Sequence, residues 1–230
     1  MNWFLEGRSA ALDWALPELR CGRLDGVPVL ADWAQEGWRS HEPQCLREVV
    51  SGREPELPTE VRVGWDSEAL RVLFRVWDEA PWATLTERGE PLYTEEVVEV
   101  FLDPVGDGEL YFELEVNVNN AVLECCARRV RSGYRKDFRW RCEGLRTAVQ
   151  RDVEGWTAEL AIPFLSLAVQ GPRAGEAWRG NLTRIDRPQG KPRELSAWSP
   201  TGLAQFHVPR RFGWLRMEAQ AGKADVSGPG

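Results

Sequence analysis

The sequence is poor in the side chains that most often carry chemistry. It holds two histidines, His41 and His207, and two methionines, Met1 and Met217. Neither histidine accompanies a Gly-x-Ser-x-Gly elbow or a Cys–His signature, which argues against nucleophilic catalysis. The five cysteines are Cys21, Cys45, Cys125, Cys126 and Cys142. An odd count with an adjacent pair is a poor disulfide framework, and no CxxC…CxxC pattern suggests zinc, so buried or partly buried thiols are expected. No apolar run approaches the roughly 18 residues that a bilayer span requires, and no membrane partner is expected. The opening MNWFLEGRSAALDWALPEL lacks a basic n-region and a clean apolar h-region. The chain as written is therefore expected in the cytoplasm, or outside the cell if a leader has been removed.

What is abundant is tryptophan, at 12 of 230 residues. Indole is costly to expose and stacks well, so this excess needs a core, a binding face, or both. Lys and Arg number 29 against 36 Asp and Glu, a formal net charge of −7 that disfavours nucleic acid unless a local basic patch exists.

The interior reads as short strands between turns. Val61, Val63 and Trp65 alternate with polar residues or glycine, and after the turn Trp65-Asp66-Ser67-Glu68 the set Leu70, Val72, Phe74, Val76 alternates in turn, as a hairpin would. Val97–Leu102 ends at Asp103-Pro104-Val105-Gly106-Asp107-Gly108, a strong turn signal. Beyond it Leu110, Phe112, Leu114 and Val116 point one way, and Glu113, Glu115 and Asn117 point to a polar, acidic face. Further strands are expected at Ala121–Leu123, Thr147–Val149, Trp156–Ile162, Trp178–Ile185 and Phe212–Leu215. Helical periodicity is weak except around Ser9–Leu19, and Pro163–Leu167 suits one helical turn. The pattern predicts an all-β fold: a single antiparallel β-sandwich with short helical turns, spanning residues 21–217 between an N-terminal extension (1–20) and a disordered tail (218–230). Trp65, Trp156 and Trp214 are expected in its core, and Trp77 and Trp82 on a surface loop.

Several segments, in this order, resemble the carbohydrate-binding module family 9-like domains, a DOMON-like group. They are Trp77-Asp78, Trp82–Arg88, Tyr93–Pro104, Tyr111–Asn117, Gly155–Pro163, Ala197-Trp198-Ser199-Pro200 and Phe206–Gly213, and together they span nearly the whole chain. The resemblance implies a non-catalytic β-sandwich that binds a glycan or oligosaccharide, often beside a glycoside hydrolase. In that family an aromatic pair sandwiches the sugar, and its positions fall on Tyr93 and Trp198. The first is typically Trp in sugar-binding members, so Tyr93 is a departure that offers less stacking area. Glu99 matches the rim carboxylate, and alternation sets it on the face of Val97 and Phe101, where its head group needs water, a ligand or a partner.

Asn117 and Arg184 are further candidates for hydroxyl contacts, although Arg184 could instead neutralise Glu99 or Glu115. Trp82 is a candidate binding-loop aromatic. For Glu99 and Trp198 the alternatives are a structural carboxylate and a core ring. A haem-binding relative is disfavoured by the placement of the two methionines. Hydrolysis would need an assigned acid and nucleophile, which no motif supplies. No cofactor is required, but Asp103 and Asp107 cluster oxygen ligands in a turn and are candidate ligands for a structural calcium. The rival to sugar binding is a structural or protein-interaction sandwich that has lost the site.

Overall fold

The structure, a computed structural model, describes residues 15–219. Most of the Ser9–Leu19 segment, the start of the extension and nearly all of the tail lie outside the described residues. The strands are β1 (Glu18–Arg23), β2 (Gln44–Cys45), β3 (Arg47–Glu48), β4 (Thr59–Trp65), β5 (Ala69–Trp77), β6 (Val97–Asp103) and β7 (Leu110–Val116). They continue as β8 (Val122–Val130), β9 (Gly133–Asp137), β10 (Arg146–Arg151), β11 (Gly155–Pro163), β12 (Ala177–Asp186), β13 (Glu194–Ala197) and β14 (Gly213–Met217). The only helical elements among the described residues are short 3-10 turns, one of them at Phe164–Leu167.

The strands hydrogen-bond along one continuous path, β10-β11-β5-β4-β1-β14-β12-β6-β7-β8-β9. Strand β1 joins its two wings, pairing with β14 through Glu18–Cys21 and with β4 through Gly22–Arg23. Both of these pairings are parallel, which corrects the expectation of a strictly antiparallel sheet. The other pairings along the path are antiparallel. The expected domain start at residue 21 falls inside β1, a strand too short in its alternation to announce itself.

The sheet curls so that both wings contribute to one core. Val61, Val63, Val72, Phe74, Val76, Trp156, Leu160 and Ile162 from one wing gather with Val98, Val100, Leu102, Phe112, Leu114, Val116, Leu182 and Leu215 from the other. The alternating apolar sets read from the sequence are these inward faces. Trp65 and Trp156 join this core, but Trp214 does not: 37% exposed, it points outward with the Arg179 guanidinium 4.6 Å from its ring, because Leu215 and Met217 take the inward positions of β14. The five cysteines are free, with Cys45 exposed, Cys126 half-buried and the others buried.

The outward faces are also covered. Over β5 and β11 the segment from Leu24 to Trp38 lies across the sheet, and Leu24 and Trp38 pack on Leu73. Its anchor is Glu159, fully buried, which accepts the amides of Leu30 and Ala31 at 2.9 Å each and pairs with the Arg71 guanidinium. Arg71 in turn donates to the carbonyls of Val27 (2.8 Å) and Pro28 (3.2 Å). Removing Glu159 would leave the buried Arg71 with only the longer ion pair to Asp66 at 3.4 Å and would free the amides of Leu30 and Ala31, and breaking a buried pair in this way costs about 3–5 kcal/mol. Glu159→Ala is therefore expected to lower unfolding free energy by about that amount in a urea titration. A loss under about 1 kcal/mol would show that the anchor is dispensable.

Candidate carbohydrate site

The second covered face, over β6, β7 and β8, builds the site. Odd positions of these strands carry Val97, Phe101, Tyr111, Leu123 and Ala127 into a separate apolar cluster closed by Ile185, Leu195, Phe206 and Phe212. The same face carries Glu99, Glu113 and Glu115, so the acidic face read from the sequence is not solvated. All three carboxylates are at most 3% exposed, and their oxygens lie within 4.8 Å of one another. Register explains the proximity, because Glu99 pairs directly across from Glu115 and Phe101 from Glu113.

Each acid has a different set of neighbours. The Thr183 hydroxyl donates to Glu99 Oε2 at 2.8 Å. Glu113 receives the Cys125 thiol at 3.0 Å and lies 3.2 Å from Lys136 Nζ and 3.6 Å from His207 Nε2. The Tyr93 amide donates to Glu115, whose Oε2 is buried without a partner. Burial, with the Glu113 charge adding to it, pushes the Glu99 carboxyl up to about 8. Burial and then the charges of Glu99 and Glu113 hold Glu115 well above the ordinary carboxylate range. Burial also lowers the affinity of His207 for a proton, so its ring is neutral near pH 7; Nδ1 sits 2.9 Å from the Tyr111 hydroxyl.

Above this floor opens a cavity of about 430 Å³, lined by Tyr93, Glu99, Glu113, Lys136, Phe138, Arg193, Gln205 and His207 among others. Tyr93 and Phe138, 41% and 42% exposed, present ring surface at its walls. Of the residues expected at a site, the structure brings together Tyr93 and Glu99. Sequence reasoning missed Phe138, Lys136 and His207 here; the aromatic Phe138 inside a basic run was the one local signal.

The other expected residues lie elsewhere. Trp198 is 5% exposed and belongs to the core; its ring lies against Gly213, where a Cβ would come within 2.4 Å of it. It offers no face to a solute, so the expected Tyr93–Trp198 pair is not formed. Asn117 is fully buried in the β7–β8 turn, donating to the Leu85 carbonyl and accepting the amides of Asn119 and Ala121, and it presents no surface to a ligand. Arg184 pairs with Asp78 (2.7 Å) and Asp186 (3.2 Å) rather than with Glu99 or Glu115, because its side chain leaves the opposite face of β12 from Thr183. Trp82 is half-buried beside a larger cleft of about 800 Å³ that also takes in Trp77, Asp78 and Glu96, and its indole donates to the Arg187 carbonyl at 2.6 Å. Asp78 and Glu96 of that cleft cluster with Asp186 behind it, and Arg184 pairs with both Asp78 and Asp186, which makes the cluster a structural network.

Both Asp103 oxygens are already engaged, by the amides of Gly106 (2.7 Å) and Gly108 (2.8 Å), and Asp107 accepts the Glu109 amide. These acceptors serve a tight turn, and among the described residues no third acid gathers with Asp103 and Asp107, so the residues do not fit the oxygen-rich shell that calcium takes. Among the described residues no helix is long and apolar enough to cross a membrane.

Comparison with known proteins agrees with this architecture. Residues 31–220 match the family described as carbohydrate family 9 binding domain-like, and the chain belongs to that family. A carbohydrate binding module family 9 from Caldicellulosiruptor kristjanssonii in complex with glucose is 19% identical, with TM-score 0.66, covering 93% of this chain and 100% of its own. The same organism's module in complex with cellotriose gives 19% and 0.67, covering 93% and 98%. A putative carbohydrate-binding protein from Bacteroides uniformis gives 18% and 0.70, covering 88% and 98%. Comparison with curated proteins gives no match.

Two predictions follow from the buried acids and the turn. Unfolded, Glu99 ionises near 4.5; folded, near 8. Between those values the native state holds the extra proton, so this contribution to stability is complete below about pH 4.5 and is lost as pH rises toward 8. The melting temperature of Glu99→Gln is expected to fall less between pH 5 and pH 8 than that of the unsubstituted protein, by about 3 °C or more. Parallel losses would remove Glu99 as the titrating group. At the Asp103 turn, melting temperatures in chelator and in excess calcium are expected to coincide; a rise with calcium would restore the cation.

Proposed function

We propose that this chain is a non-catalytic module that binds carbohydrate in the cavity between Tyr93 and Phe138. The observation that carries the reading is the pair of exposed rings over a floor of buried carboxylates. A pyranose presents apolar C–H faces and a hydroxyl rim, and this cavity offers ring faces at its walls and oxygen acceptors at its base. A carboxyl that keeps its proton can also donate, so Glu99 serves a sugar oxygen as either donor or acceptor. Family membership and the relatives solved with glucose and cellotriose support the class of ligand.

Hydrolysis is disfavoured by the same geometry. The oxygens of Glu99, Glu113 and Glu115 crowd within 4.8 Å on one face, whereas a glycosidase sets its two carboxyls about 5–10 Å apart on either side of a scissile bond. As a binding module the domain would serve a glycoside hydrolase by holding its substrate near. The burial of Trp198 favours a second reading, in which the fold is kept as a structural or protein-interaction domain and the sugar site is lost.

Calorimetric titration with glucose and cello-oligosaccharides separates the two. Tyr93→Ala and Phe138→Ala are each expected to weaken binding by about ten-fold or more, with melting temperatures within a few degrees of the parent because both rings are exposed. No heat with any oligosaccharide, from a protein whose melting is normal, would leave the second reading.

A further inference from the structure

The chain is acidic overall, yet residues 128–141 carry seven arginines and lysines against one acid, Asp137. This run forms the β8–β9 hairpin at the end of the sheet path. Its register sets Arg128 directly across from Arg135, a like-charge pairing that destabilises a hairpin. Part of the run has an ordinary explanation, since charged side chains on an edge strand prevent edge-to-edge association. That explanation does not reach Arg210, which comes from the distant turn at Pro209–Arg211 and meets the hairpin at one cleft.

The cleft measures about 360 Å³ and is lined by Arg129, Arg131, Tyr134 and Arg210, with Gln205 and His207 forming the wall it shares with the sugar cavity. Arg129 reaches only an exposed pairing with Glu109 at 3.4 Å. Among the described residues no hydrogen bond or ion pair engages the guanidinium of Arg131 or of Arg210. Two arginines with unpaired guanidiniums lining one cleft, beside a cavity with aromatic walls, make a place for an anionic group attached to the occupant of that cavity.

We propose that the ligand is an acidic oligosaccharide, one ring of which sits between Tyr93 and Phe138 while a carboxylate or sulfate on a neighbouring residue is held by Arg131 and Arg210. This rests on the carbohydrate reading and narrows it to glycans carrying negative charge. The shared wall supplies the continuity: Gln205 and His207 face both compartments, so an occupant passing from one to the other crosses polar side chains that carry no charge of their own near pH 7.

The test is calorimetric titration of the full chain at low and at high salt with four probes: a neutral cello-oligosaccharide, an oligogalacturonate, a sulfated oligosaccharide of similar length and a single-stranded oligonucleotide. At low salt at least one acidic sugar is expected to bind about ten-fold tighter than the neutral one, with the advantage shrinking as salt rises. The carboxylate and sulfate arms show which anion is preferred. The double variant Arg131→Glu/Arg210→Glu, whose substitutions are exposed and leave the fold intact by circular dichroism, is expected to bring the acidic-to-neutral ratio to about one or below. Equal binding of neutral and acidic sugars by the parent would overturn this inference while leaving the carbohydrate reading in place. Failure of every sugar would remove both. An oligonucleotide that binds as tightly as the acidic sugars, with Tyr93→Ala without effect on any probe, would replace the glycan by a general polyanion.

Discussion

In the central strands of both wings of this sheet both faces are out of water, and that constraint governs the rest of the molecule. Strands β5, β6, β7 and β11 are buried at nearly every position. Inward positions meet in the common core; outward positions must be closed by other parts of the chain, and any charge placed there has to be answered. On the wing of β5 and β11 the answer is local neutrality, with Glu159 and Arg71 satisfying each other and the amides and carbonyls of the crossing segment. On the wing of β6 and β7 the outward face carries three acids and is met by one lysine and a neutral histidine. The excess of carboxyl over cation is what makes the second face chemically unlike the first.

How much of this could be read beforehand follows from which forces are local. The inward alternation was legible, because a dry face imposes a period of two on the sequence itself: the strands at Thr59–Trp65, Ala69–Trp77, Val97–Asp103, Leu110–Val116 and Gly155–Pro163 lie where the pattern set them. Strands β1, β9 and β13 were not, because ELRCGR, GYRKD and ELSA are held by neighbours far away in the chain. The parallel pairings of β1 have no signature in its own residues. Trp214 illustrates the limit in miniature: a one-residue choice of phase in a short strand decides whether an indole faces core or solvent, and nothing within Gly213–Met217 fixes the phase.

The site divides the same way. Tyr93 and Glu99 lie six residues apart across one turn and the start of β6, so a single local geometry brings both to one cavity. Lys136 arrives from β9, Phe138 from the residue after it and His207 from the chain before β14, and only the folded sheet sets them beside Glu99. Trp198 shows the converse. Its position in a family motif marked it as important, but motif membership does not distinguish a ring that stacks on a ligand from one that fills the space above Gly213.

Formal charge misleads at this site. Counting Glu99, Glu113 and Glu115 as three anions would make the cavity strongly repulsive to any acidic solute. Burial alters the count, because a carboxyl in a dry, like-charged neighbourhood keeps its proton, and both Glu99 and Glu115 are displaced in that direction. Lys136 lies 3.2 Å from the third acid. Near pH 7 the floor is therefore closer to neutral than its sequence suggests, and it presents O–H donors as well as oxygen acceptors, which suits hydroxyls better than a purely ionised surface would. The unpaired arginines next door then act on a local field that the net charge of −7 does not describe. The acidity of the chain as a whole and the basicity of one cleft are compatible, because screening confines each to its own neighbourhood of about 8–10 Å.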